Sequence, residues 1–199
     1  WSFSFGDDNA EAETSGLDFN DAGDRFYLSG YFGDTVTISG QDFISNGLAD
    51  GFIGSFDLTG TLQNLYQFGG GGAEQVTSVS HVKDEYVLFT GNIESALLFA
   101  DSTYNSSAPT NPFIGKVRLD SHEVYGVHFE VTGGALTSSF NDIDHNEGRV
   151  IAGGFFQGDA SATQAGLIAT NSFDGMITNM NIMAMVDTTI MINNLSAGS

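Results

Sequence analysis

The 199-residue chain contains no cysteine. Thiol nucleophiles, thiolate metal sites and disulfides are excluded, so packing and hydrogen bonding must hold the fold together. Proline occurs only twice, which argues against a polyproline stalk. Basic residues are scarce: five Lys and Arg stand against 25 Asp and Glu, a formal net charge of −20. Charge of that sign repels phosphate backbones and anionic lipid surfaces, so nucleic-acid partners and electrostatic membrane attachment are not expected. Long apolar runs are missing too. The longest, Ile182–Val186, is far short of the roughly 20 residues that span a bilayer, so no membrane insertion is expected. The chain opens at Trp1, with no basic-then-apolar leader, and reads as a processed or partial chain.

Glycine and phenylalanine are plentiful, at 26 and 17 residues, and 41% of the chain is hydrophobic. This is too apolar for a disordered acidic tail. The phenylalanines alternate with polar residues, as on strands with one buried face.

Ala22–Phe32 reads as a turn, a strand and a glycine, and the arrangement returns at Asp84–Ile93 and Glu147–Phe156. Gly30, Gly91 and Gly154 are 61 and 63 positions apart. A self-similar period of this length signals a repeat architecture. Repeat units of about 6–68, 69–129 and 130–182 follow, with 183–199 as an incomplete fourth. Strands are expected at Trp1–Gly6, Leu17–Phe19, Arg25–Phe32, Gly51–Leu58 and Leu62–Phe68 in the first register. Gly33–Ile38 reads as a continuation of the second of these hairpin strands, and Ser39–Asp50 as a connection. The second unit predicts Val76–Val82, Tyr86–Gly91, Leu97–Phe99, Phe113–Leu119 and Val124–Phe129. The third predicts Ser138–Ile143, a turn at Asp144–Gly148, then Arg149–Phe156, Gly166–Thr170 and Ile177–Ile182. Met183–Val186 and Ile190–Ile192 read as the opening hairpin of the fourth.

Trp1–Gly6, Asn20–Asp24, Phe26–Phe32, Ala49–Asp57 and Gly60 resemble the repeat of a bacterial β-propeller family of secreted and surface proteins. Tyr66–Gly69, Tyr86–Gly91 and Asn111–Leu119 carry the likeness in the second unit. His128-Phe129, Asn146–Gly148, Val150–Phe155 and Ala165–Thr170 carry it in the third. The resemblance implies a non-catalytic, extracellular scaffold. The fold expected is an all-β, β-propeller-like array of four-stranded antiparallel sheets, present in part, because three periods do not close a ring of four to eight blades.

Asp18, Asn20, Asp21 and Asp24 cluster oxygen ligands around a glycine, and Asp142, Asp144 and Asn146 occupy the matching third turn, with Glu147 beside them. Such oxygens suit calcium; they equally suit a hairpin turn closed by Asx hydrogen bonds. Gly69–Gly72 lacks the Gly-Lys-Ser/Thr of a phosphate loop and reads as a link between units. His81, His122, His128 and His145 lack metal-ligand spacing. Tyr31, Phe43, Tyr104 and Asn111 are candidates for a glycan-binding loop face. Asn105 and Asn194 begin Asn-x-Ser triplets that suit N-glycosylation.

Three functions compete. The leading one is an extracellular or cell-surface structural or adhesive module, associating with copies of itself or with the rest of a longer protein in a filament or surface assembly. A carbohydrate-binding propeller and a glycan-active enzyme are the alternatives. The latter would need two carboxylates at one cleft, and no Gly-x-Ser-x-Gly elbow is present.

Overall fold

The computed structural model describes residues 11–94, 96–99, 102–105, 110–131, 137–146, 149–157, 165–172, 181–184 and 190–197. The predicted strand Trp1–Gly6 lies outside them. The first run of chain forms β1 (Ala12–Phe19), β2 (Arg25–Phe32), β3 (Thr35–Ile38), β4 (Gln41–Ile44), β5 (Asp50–Asp57) and β6 (Leu62–Phe68). The second forms β7 (Gln75–Val82), β8 (Tyr86–Ile93), β9 (Ala96–Phe99), β10 (Ser102–Asn105), β11 (Asn111–Arg118) and β12 (Val124–Val131). The third forms β13 (Thr137–Asn146), β14 (Arg149–Gln157), β15 (Ala165–Ser172), β16 (Asn181–Ala184) and β17 (Ile190–Ala197).

These strands make an all-β array of antiparallel sheets. The first sheet runs β1-β2-β5-β6, the second β7-β8-β11-β12 with β17 added beyond β12, and the third β13-β14-β15-β16. Two small hairpins, β3-β4 and β9-β10, sit outside these ladders. Among the described residues no sheet closes on itself.

The recurring glycine has a steric cause. Each of the three sheets begins with a bulged strand: the register slips between Thr14 and Gly16, Val76 and Ser78, and Phe140 and Asp142. Opposite the slip stand Gly30, Gly91 and Gly154. A Cβ on them would lie 1.9, 2.1 and 1.9 Å from the carbonyl oxygens of Glu13, Gln75 and Ser139. No side chain fits where a bulge pushes the neighbouring backbone so close.

The sheets stack in one repeating way. β7 lies against β1, β2 and β5, and β13 lies against β7, β8 and β11. Between the first two sheets Tyr27, Ile53 and Phe68 meet Val76, Val79, Val87, Phe89, Ile93, Phe113 and Val117 in one buried cluster. The Phe68 and Phe89 rings stack at 4.8 Å, and Phe113 meets Phe89 edge-on at 5.7 Å. Phe26, Phe32, Phe52 and Phe56 form a second cluster on the other side of the first sheet, covered by Val36, Ile38 and Phe43 of the β3-β4 hairpin.

Several boundaries differ from the sequence reading. β1 starts at Ala12, five residues ahead of the expected Leu17, because the bulge lets a polar run keep pairing. After Phe32 the chain leaves the ladder: Asp34 takes φ 58° and Thr35–Ile38 folds onto Gln41–Ile44 instead of continuing β2. Ser102–Asn105 forms a strand where none was expected, pairing with β9. β13 runs on to Asn146, through the predicted turn. At the end of the chain, Met183 and Ala184 complete β16 against β15. Ile190–Ala197 pairs with β12, not with Met183–Val186. The open hydrogen-bonding edge of β12 supplies the partner.

Candidate functional site

The acidic turns are held by their own side chains. The Asn20 amide oxygen accepts hydrogen bonds from the backbone N–H groups of Asp24 (3.1 Å) and Arg25 (3.0 Å), and its Nδ2 donates to Asp24 Oδ1 at 2.9 Å. Gly23 closes the bend at φ 68°. Asp18 Oδ1 accepts from the Phe19 N–H, and Oδ2 crosses to the next sheet to accept from the His81 N–H at 2.7 Å. In the third sheet Asp142 Oδ1 accepts from Ser78 Oγ (2.8 Å) and from the Ile143 N–H, while Asp144 Oδ1 accepts from the His145 N–H. Asp21 lies 3.7 Å from His81 Nδ1, and Asn146 pairs with Arg149 across the β13-β14 end. Glu147 lies outside the described residues. Among those described, no three His, Cys, Asp or Glu side chains converge as metal ligands.

His81 marks the junction between the first two sheets. It is 3% exposed, and its ring stacks on Tyr27 at 5.5 Å. Nε2 lies 3.1 Å from both the backbone N–H and Oδ1 of Asp84, and Nδ1 lies 3.7 Å from Asp21 Oδ1. The contact with Asp84 supports a tight turn in which Lys83 and Asp84 both take positive φ and Glu85 N–H returns to Val82 O. The next junction uses the same places: Ser80 Oγ meets His145 Nδ1 at 3.0 Å, and Thr77 Oγ1 donates to Phe140 O. Tyr66 of the first sheet reaches His122 of the second.

The four glycan candidates are not gathered together. Tyr31 on β2 holds its hydroxyl within hydrogen-bond reach of Glu11 and Glu13, at 3.0 and 3.1 Å. Desolvation, then those carboxylates, push its pKa up to about 12, so it stays a donor at any ordinary pH. Phe43 packs on the apolar cluster behind the first sheet. Asn111 is buried at the start of β11. For Tyr104 and Asn105 the structure gives backbone pairing alone, with Leu97 and Ala96. Asn194 pairs with Val127 in β17.

A cleft of about 140 Å³ lies where the first two sheets meet, lined by Tyr31, Ala73, Glu74, Gln75, Asn92, Glu94 and Thr110. Glu74 is its unusual member. It is 1% exposed, and neither carboxylate oxygen makes a well-formed hydrogen bond; the backbone N–H groups of Gly70 and Glu94 offer only weak ones. Asn92 Oδ1 is buried and unpartnered as well. Burial pushes the Glu74 pKa up to about 8; the Asp50 and Glu94 charges add to the rise, and the backbone amides of Gly70 and Glu94 offset part of it. Asp50 beside it is wholly buried yet satisfied: it accepts from Asn46 N–H (3.0 Å), Asn46 Nδ2 (2.8 Å) and Gln67 Nε2 (2.6 Å). Gly69 makes room for it, since a Cβ there would fall 2.1 Å from the Asp50 carboxyl. Sequence reading missed Glu74, Asn92 and Asp50. Asp50 lies in Ala49–Asp57 and Asn92 directly follows Tyr86–Gly91, stretches read as strands and not as a site, and only the stacking of two sheets brings them together with Glu74. The nearest local signal was Gly69–Gly72, read there as a link between units.

The chain matches no family model, and no curated protein or solved structure is significantly similar to it. Among the described residues no helix is long and apolar enough to cross a membrane.

Proposed function

We propose that this protein is a non-catalytic, extracellular or cell-surface scaffold module. Its β-propeller-like sheets associate by the same stacking that joins them within the chain. One observation carries this reading: both ends of the stack leave apolar side chains exposed at places that repeat the buried junction. The set Phe26, Phe32, Phe52 and Phe56 behind the first sheet sits 61 positions before Val87, Ile93, Phe113 and Val117, which the second sheet packs against the first. In the first sheet the β3-β4 hairpin covers that set, and the apolar surface left open lies on β1. Gly16 and Asp18 of β1 face β7, so Leu17 and Phe19 point the other way, and they are 57% and 49% exposed. At the far end Ile151 occupies the place that Tyr27 holds in the first sheet, and it is 50% exposed where Tyr27 is buried.

The motif likeness to surface β-propeller repeats supports an extracellular setting, and the occupant of each end face is another sheet of the same repeat. Sedimentation and negative-stain imaging test this. The chain is expected to associate end to end, and Phe19→Asp and Ile151→Asp are each expected to cap one end. A chain that stays monomeric up to its solubility limit overturns the reading.

A further inference from the structure

The Glu74 cleft has no part in stacking end to end, and both charged residues of its lining, Glu74 and Glu94, are acidic. Its lining offers oxygen acceptors from Glu74, Glu94 and Asn92, and the Glu74 carboxylate and Asn92 Oδ1 are buried acceptors without a well-formed hydrogen bond. Buried polar atoms are ordinarily paired, so unpaired ones concentrated at one cleft call for a partner from outside. A proton on Glu74, even donated to Asn92 Oδ1, would leave at least one of the three oxygens unpaired. A cation can satisfy all three. We propose that the cleft between the first two sheets binds a small oxygen-seeking cation of the calcium class, held by Glu74, Glu94 and the Asn92 amide oxygen.

Two carboxylates and an amide do not encircle an ion. Calcium completes such a shell with water and tolerates irregular geometry, which magnesium does not. The opening of about 140 Å³ leaves room for that water. The acidic turns expected from sequence to hold calcium spend their oxygens on backbone N–H groups, whereas this cleft has oxygens with no other use. Binding requires ionised Glu74, so it competes with the proton that burial favours.

The experiment is a calcium chloride titration of the whole chain by calorimetry at about pH 9, where Glu74 is ionised. One saturable site and a raised Tm are expected, with affinity falling about tenfold per pH unit below pH ~8. Glu74→Gln should abolish the site, Glu94→Gln should weaken it, and Asn20→Ala should leave it unchanged. Methylammonium chloride should not compete. The proposal is overturned by an absence of saturable binding in the native chain, by equal binding in the Glu74→Gln variant, or by full competition from methylammonium. If Glu74→Gln fails to fold, undiminished binding by Glu94→Gln overturns it instead.

Discussion

Gly91 has a would-be Cβ 2.1 Å from the Gln75 carbonyl and 2.4 Å from the Phe113 ring. Gly153, on β14, the corresponding strand of the third sheet, has nothing within 4 Å. Gly91→Ala should therefore cost about 3 kcal/mol or more, because backbone and a buried ring must both move. Gly153→Ala should be neutral or stabilise by roughly 0.5 kcal/mol through the unfolded chain. Urea melts of the two variants decide it, and equal effects would show that the bulge does not hold. Glu74 carries a second prediction at this scale. Its pKa rises from 4.5 unfolded to about 8 folded, so the folded state keeps a proton that the unfolded state loses. In the absence of divalent cations, stability should fall as pH rises from about 5 to about 8 and level off above that. Glu74→Gln should flatten this segment of the profile; an unchanged slope would place the proton elsewhere.

At the scale of elements, β17 is the informative strand. It pairs along the whole of β12, from Val124↔Ala197 to Val131↔Ile190, and so covers an edge that the four-stranded pattern leaves open. The double variant Asn193→Pro/Asn194→Pro removes two successive N–H donors, at least one of which points into the ladder. Hydrogen exchange should then speed up across Val124–Val131 while β2 and β5 stay protected. Protection retained in β12 would mean that β17 is not its cover. The β3-β4 hairpin has the complementary role: it brings Val36, Ile38 and Phe43 over the outer apolar face of the first sheet.

For the whole molecule, the formal charge of −20 opposes the apolar end contacts. Association between copies should increase as sodium chloride is raised from about 0.02 to 0.5 M, because the Debye length shrinks from roughly 20 Å to about 4 Å. Sedimentation velocity across that series measures it. Association that weakens with salt would mean that ionic contacts, not stacked sheets, join the copies.

Sequence alone determined most strands of the main ladders and the recurrence that orders them. Alternating Phe and polar residues, Asn-Asp-Ala-Gly-Asp and Thr-Gly turns, and a glycine every 61 to 63 positions act within one strand or between hairpin neighbours. Leu62–Phe68 was placed to the residue for that reason. Tertiary structure alone decided the rest. A bulge opposite Gly30 gives the repeating glycine its cause, and the free edge of β12 draws in Ile190–Ala197. The stacking of two sheets buries the Glu74 carboxylate and Asn92 Oδ1 without well-formed hydrogen bonds, and folds Asp18 across to His81. These contacts join residues far apart in sequence, up to 73 positions between Val124 and Ala197, so no local pattern in either partner encodes them.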